Sequence, residues 1–208
     1  PMIKKILPLI GLIIILGLSW RVNQQRSLSM HFVDEDDHLA GADLINRGYR
    51  LHEQIQSNHQ PLVYFASAAI QKFANPDNIF MLVRRHRQAI FVYGAAWSLL
   101  LILRLNWPGL IFVLFFEFLK YGLLGNLLLM ESLAVYPAVY LLAVLLTHRP
   151  LHRWELIFLG WCSFLITFGL VPLYPWLLVT LLTLAGRLKK QIFWLLPGLL
   201  LPTMLLFW

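Results

Sequence analysis

Hydrophobic and polar positions fall in long blocks along this chain instead of alternating residue by residue. Apolar runs occur at about residues 3–20, 89–103, 108–125, 126–146, 156–170, 172–186 and 192–208. A helix needs roughly 20 mostly apolar residues to cross a bilayer, so the pattern predicts an all-α, polytopic transmembrane helical bundle of about seven spans. Some runs are short or closely spaced, which predicts a break or a re-entrant turn among them. Pro108, Pro137, Pro172, Pro175, Pro197 and Pro202 mark helix starts or kinks, which membrane helices tolerate when neighbours re-satisfy the backbone.

The polar stretch after the first run carries helical signals of its own. Asp36–Arg47 sets Leu39, Ala42, Leu44 and Ile45 at helical spacing, and Gly48 is a natural stop. Pro61–Phe73 places Leu62, Val63, Phe65, Ala66, Ala69, Ile70 and Phe73 on an amphipathic pattern that opens with proline. Asn75-Pro76-Asp77-Asn78 reads as a turn. The expected organisation is a first span over 1–20, a loop over 21–88 carrying two amphipathic surface helices, and the remaining spans over 89–208.

Basic residues orient the spans. Lys4 and Lys5 predict a cytoplasmic N-terminus. With alternating spans, Arg104, then His148-Arg149 and Arg153, then Arg187, Lys189 and Lys190 all fall on that same side. The 21–88 loop then faces the exterior or periplasm of a plasma or inner membrane. Arg84-Arg85-His86-Arg87 breaks the trend, but long external loops escape the charge rule.

Composition agrees with this class. The chain is 59% hydrophobic and 13% charged, with a mean hydropathy of +0.69, which describes an integral membrane protein. Its net charge of +7 sits in short patches between apolar runs, where it sets topology or meets membrane lipids, and implies no nucleic-acid partner. The single cysteine, Cys162, lies in an apolar run and excludes an intrachain disulfide or a cysteine-based metal cluster. Residues 2–20 read as a retained signal anchor, and the last run, reaching Trp208 without a polar flank, predicts a fragment or half of a larger protein.

Against that background the quartet Asp34-Glu35-Asp36-Asp37 supplies four of only ten acidic residues. By itself it suits the first turn of a surface helix, where carboxylates complement the macrodipole. His38 follows Asp34 by one turn, a spacing that can share a divalent metal. Histidines 31, 38, 52, 59 and 86 all belong to the external loop. Glu131 sits in an apolar segment near the outer end of a span, where a carboxylate is costly unless it reaches a polar cavity or the headgroups. Glu117 and Lys120, one turn apart, predict an intramembrane ion pair. The chain has no Gly-rich phosphate loop and no HExxH.

The order of these elements resembles the first external loop of the GT-C membrane glycosyltransferases that use dolichyl- or polyprenyl-phosphate sugars, the family of protein O-mannosyltransferases and bacterial aminoarabinose transferases. Asp34-Glu35 matches the acidic pair, Leu44–Tyr49 the helix end with Gly48-Tyr49, and His59-Gln60-Pro61-Leu62-Val63-Tyr64 the third element; Gln60 departs from the proline of many relatives. The resemblance covers about residues 1–150. It implies transfer of a sugar from a polyprenyl-phosphate donor to a hydroxyl of a protein, lipid or glycan acceptor, with inversion, and Asp34 as the general base. It gives Glu35, His38, His59 and Glu131 supporting, metal or substrate roles, with a divalent metal ion as the cofactor. Arg84 and Arg87 would bind the lipid phosphate, because guanidinium forks suit phosphate oxygens. Two other readings stay open: a transporter or channel subunit using Glu117, Lys120 and Glu131, or a non-catalytic accessory subunit of the same fold.

Overall fold

The computed structural model describes residues 2–29, 32–147 and 149–207. His31, His148 and Trp208 lie outside the described residues, as do the side chains of Lys4 and Lys5. Nine α-helices are described: α1 (Met2–Arg26), α2 (Val33–Asn46), α3 (Pro61–Ala74), α4 (Ile79–Leu105), α5 (Trp107–Leu119), α6 (Met130–Leu146), α7 (Arg153–Thr167), α8 (Tyr174–Leu188) and α9 (Leu196–Phe207). No strand occurs among the described residues, only an isolated bridge between Leu51 and Ile55. The chain divides into two compact units, one running to Ser132 and the other starting at Leu133.

Three described stretches are long and apolar enough to cross a membrane: Ile6–Arg26, Ile79–Leu105 and Val171–Leu206. The other apolar runs form shorter helices. α5 has 13 residues, α6 has 17 and α7 has 15; at about 1.5 Å per residue none reaches the roughly 30 Å of a hydrocarbon core. The run expected over 108–125 is not one helix, because α5 stops at Leu119 and turns fill the chain up to Leu129. Val171–Leu206 meets the length criterion but is not one straight helix. Lys189 adopts φ 50°, a rare conformation for a residue with a Cβ, and a 3-10 segment (Lys189–Leu195) separates α8 from α9.

In the first unit α1, α4 and α5 pack around Leu12, Ile102 and Val113. Gly11 lets Leu110 approach: a Cβ there would meet Leu110 Cδ2 at 2.9 Å. The expected Glu117–Lys120 pair is present, with Lys120 Nζ 2.6 Å from Glu117 Oε2 and both side chains buried. Ser19 of α1 donates to Glu117, and Tyr121 donates to the Ser19 carbonyl at 2.8 Å. Lys120 also sits 5.1 Å above the Phe91 ring, so a cation inside an apolar bundle has both a carboxylate and a π face.

In the second unit α7 and α9 touch backbone to backbone. A Cβ at Gly160 would collide with the Leu195 carbonyl, and one at Gly198 with the Ile157 carbonyl. Small residues at facing positions allow this approach where lipid supplies no hydrophobic drive between helices. Pro108 and Pro175 open α5 and α8, as the sequence predicts, while Pro137 and Pro202 lie inside α6 and α9.

Candidate functional site

The helix that carries the acidic quartet starts earlier than its pattern suggests. α2 begins at Val33 after an extended Phe32, so Asp34, Glu35 and Asp36 occupy its first turn. No side chain caps it; the three carboxylates complement the exposed N–H groups instead. Gly48, with φ 94°, supplies the left-handed stop. Buried positions Glu35, His38, Leu39 and Ala42 follow helical spacing and define the inward face. Asp34, Asp37 and His38 lie at i, i+3 and i+4 and so project toward one neighbour.

Glu35 and Asp34 are adjacent in sequence and opposite in environment. Glu35 is 1% exposed, as is Arg87 of α4. The Arg87 guanidinium donates through Nε to Glu35 Oε1 at 3.1 Å and through Nη2 to Oε2 at 2.6 Å. The Leu128 N–H adds a third donor to Oε1 at 3.1 Å. Bidentate pairing of this kind satisfies a carboxylate that burial would otherwise penalise. The Asp34 side chain is 44% exposed and comes within 4.0 Å of His59 Nε2.

Arg87 therefore does not sit where a lipid phosphate could reach it. α4 starts at Ile79, so Arg84–Arg87 belong to a continuous helix and not to a loop before it. Helical geometry turns Arg87 inward to Glu35 and leaves Arg85 exposed, donating to Gln88 at 3.0 Å. Arg84 is half-buried. Glu131 is exposed in the first turn of α6, a favourable place for a carboxylate on dipole grounds alone.

A second cluster joins α2 to the segment leading into α3. Tyr64 donates its phenol to Asp37, and its oxygen lies 2.6 Å from Ser57 Oγ. Ser57 Oγ also accepts from the His59 N–H at 3.0 Å, which fixes the course of the chain there. The His38 ring meets His59 edge-on at 4.9 Å and Tyr64 at 5.2 Å. Gly41 makes room for Tyr64: a Cβ would lie 2.6 Å from Tyr64 Cε1. Burial pushes the Tyr64 phenol up to about 12, with the hydrogen bond to Asp37 adding to it. Burial likewise holds His38 below its ordinary 6.5, against the Leu128 carbonyl, which raises it.

Asp37, His38 and His59 each present one ligand atom within 4.8 Å of the others. The expected metal partnership paired His38 with Asp34; the group the fold assembles joins His38 to Asp37 and His59. Sequence spacing could not favour it, since His59 is 21 residues from His38 and arrives through the fold. Tyr64, Ser57 and the Leu128 peptide were not among the predicted site residues. Tyr64 was within reach as the last residue of the His59–Tyr64 segment; a backbone group has no sequence signal.

Comparison with known proteins returns nothing. No protein-family model, no curated protein and no solved structure matches this chain. The functional reading therefore rests on the residues, their geometry and the sequence resemblance.

Proposed function

We propose that this chain carries the acceptor-activating loop of a GT-C type membrane glycosyltransferase. It would move a sugar from a polyprenyl-phosphate donor to an acceptor hydroxyl of a protein, lipid or glycan at the outer membrane face. The observation that carries the reading is the split between neighbouring carboxylates: Glu35 is locked to Arg87 inside the protein, while the Asp34 side chain is 44% exposed and beside His59. A base must reach its substrate, and its scaffold must not move. Asp34 removes the hydroxyl proton as the oxygen attacks the anomeric carbon, and direct displacement inverts the configuration.

Support for a lipid-borne donor comes from an apolar groove of about 380 Å³ between α1 and α5, lined by Leu18, Val22, Leu114 and Phe118 with Arg26 among its walls. A prenyl chain suits such walls and a phosphate suits the guanidinium. With Arg87 engaged by Glu35, Arg84 and Arg26 are the cations we assign to the phosphate. A periplasmic site and the two surface helices belong to the same proposal.

Sugar transfer by the protein in lipid nanodiscs, assayed with a panel of polyprenyl-phosphate sugars, tests it. Asp34→Asn keeps shape and removes the base, so turnover should fall about 10²–10⁴-fold. Transfer unchanged by Asp34→Asn would remove Asp34 as base. A transporter subunit is the second reading, favoured by the buried Glu117–Lys120 pair; substrate flux lost on Glu117→Gln, with no transfer by the wild type, would select it. A wild type that neither transfers nor transports would select the accessory subunit.

A further inference from the structure

His38 carries a second, independent sign of a ligand. Its Nδ1 lies 3.1 Å from the Leu128 carbonyl oxygen. A carbonyl only accepts, so Nδ1 holds the proton, and Nε2 is the ring nitrogen left to offer a lone pair to a metal. That Nε2 is buried and has no hydrogen-bond partner among the described residues. A buried polar atom is costly to leave unsatisfied, and the residue that carries it belongs to the group formed with Asp37 and His59.

We propose that Asp37, His38 and His59 bind a divalent transition-metal cation of the Zn²⁺ class. The ligands are one Asp37 carboxylate oxygen, His38 Nε2 and one imidazole nitrogen of His59. Two imidazoles with a single carboxylate suit Zn²⁺ better than Mg²⁺ or Ca²⁺, which favour all-oxygen sites. Bonds of about 2.0–2.1 Å put tetrahedral ligand atoms roughly 3.3 Å apart. The present spread of up to 4.8 Å must therefore close by about 1.5 Å. His38 is held on the buried face of α2, so the movement falls to exposed Asp37 and to His59, which lies outside the helices.

The surrounding contacts are those a metal site uses. The Leu128 carbonyl fixes the His38 tautomer, and the Tyr64 phenol engages one Asp37 oxygen, leaving the other to coordinate. Ser57 ties Tyr64 and the His59 backbone together. Three protein ligands leave a fourth position for an outside molecule, beside Asp34. The site does not depend on the transferase reading, because metal binding is measured without any sugar.

The full chain, purified in detergent and stripped with a chelator, is titrated with Zn²⁺ against a chromophoric competitor, and with Co²⁺ by its visible absorption. One equivalent should bind per chain, with the strong Co²⁺ bands of a tetrahedral site. His59→Ala and Asp37→Asn should each weaken Zn²⁺ binding by about tenfold or more, while Asp43→Asn, at an exposed carboxylate paired with Arg47, leaves it unchanged. Should His59→Ala fail to fold, Asp37→Asn, which retains an acceptor for Tyr64, carries the comparison, with metal-free melting as the control. Absence of stoichiometric binding by the wild type overturns the site. So does binding that neither Asp37→Asn nor His59→Ala weakens.

Discussion

Glu35 and Arg87 make the sharpest energetic prediction in this molecule. Both residues are 1% exposed, and the pair is joined at 3.1 and 2.6 Å. Arg87→Met leaves a carboxylate inside the protein with the Leu128 N–H as its remaining donor among the described residues. Glu35→Leu leaves a guanidinium without its carboxylate. Removing one member of a buried pair costs about 3–5 kcal/mol, a large share of the roughly 5–15 kcal/mol that holds a typical domain together. The double variant Glu35→Leu/Arg87→Met removes both charges and keeps apolar volume, so most of that loss should return. It should not return fully, because the Leu128 N–H loses its acceptor, and an unsatisfied buried donor costs about 1–3 kcal/mol. Reversible unfolding in mixed micelles, run on the wild type, both single variants and the double, reads these terms as a cycle. Single variants within about 0.5 kcal/mol of wild type, or a double variant worse than either single, would refute the argument.

Two further expectations are independent of the first. The fold favours the protonated Tyr64 phenol, whose value is pushed up to about 12 from 10. Its contribution is therefore complete below pH 10 and is lost as pH rises toward 12, by about 3 kcal/mol over two pH units. Tyr64→Phe should flatten that alkaline loss in a pH series of melting curves, and a slope unchanged by the substitution would contradict it. In the second unit, Gly160→Ala and Gly198→Ala each push a methyl into a facing backbone carbonyl that cannot rotate away. Each should destabilise by about 1–3 kcal/mol, with amide exchange quickening in α7 and α9; wild-type exchange there would show that the two helices are not so close.

Much of the helical inventory was legible before any coordinates. Gly48, Pro61 and Asn75–Asn78 delimit α2 and α3 because glycine, proline and asparagine act on the backbone locally. Glu117 and Lys120 could be paired from spacing alone, since i and i+3 meet on any helix. The number of long spans was not legible. Apolar content gives no stop at Leu119, which decides whether that run crosses or turns, whereas the break at Lys189 falls between the runs 172–186 and 192–208 as expected.

The sequence by itself determined an all-helical, membrane-class chain, with an acidic pair heading a helix after the first long apolar one. Those properties follow from residue type and short-range periodicity. Tertiary structure decided what each charge does. It buried Glu35 against an arginine 52 residues away and left the Asp34 side chain partly open to solvent. It gave Asp37 to Tyr64, and brought His59 to His38. Adjacent carboxylates in a sequence are chemically alike. They acquire different roles only when the fold sets the water, partners and backbone around each one.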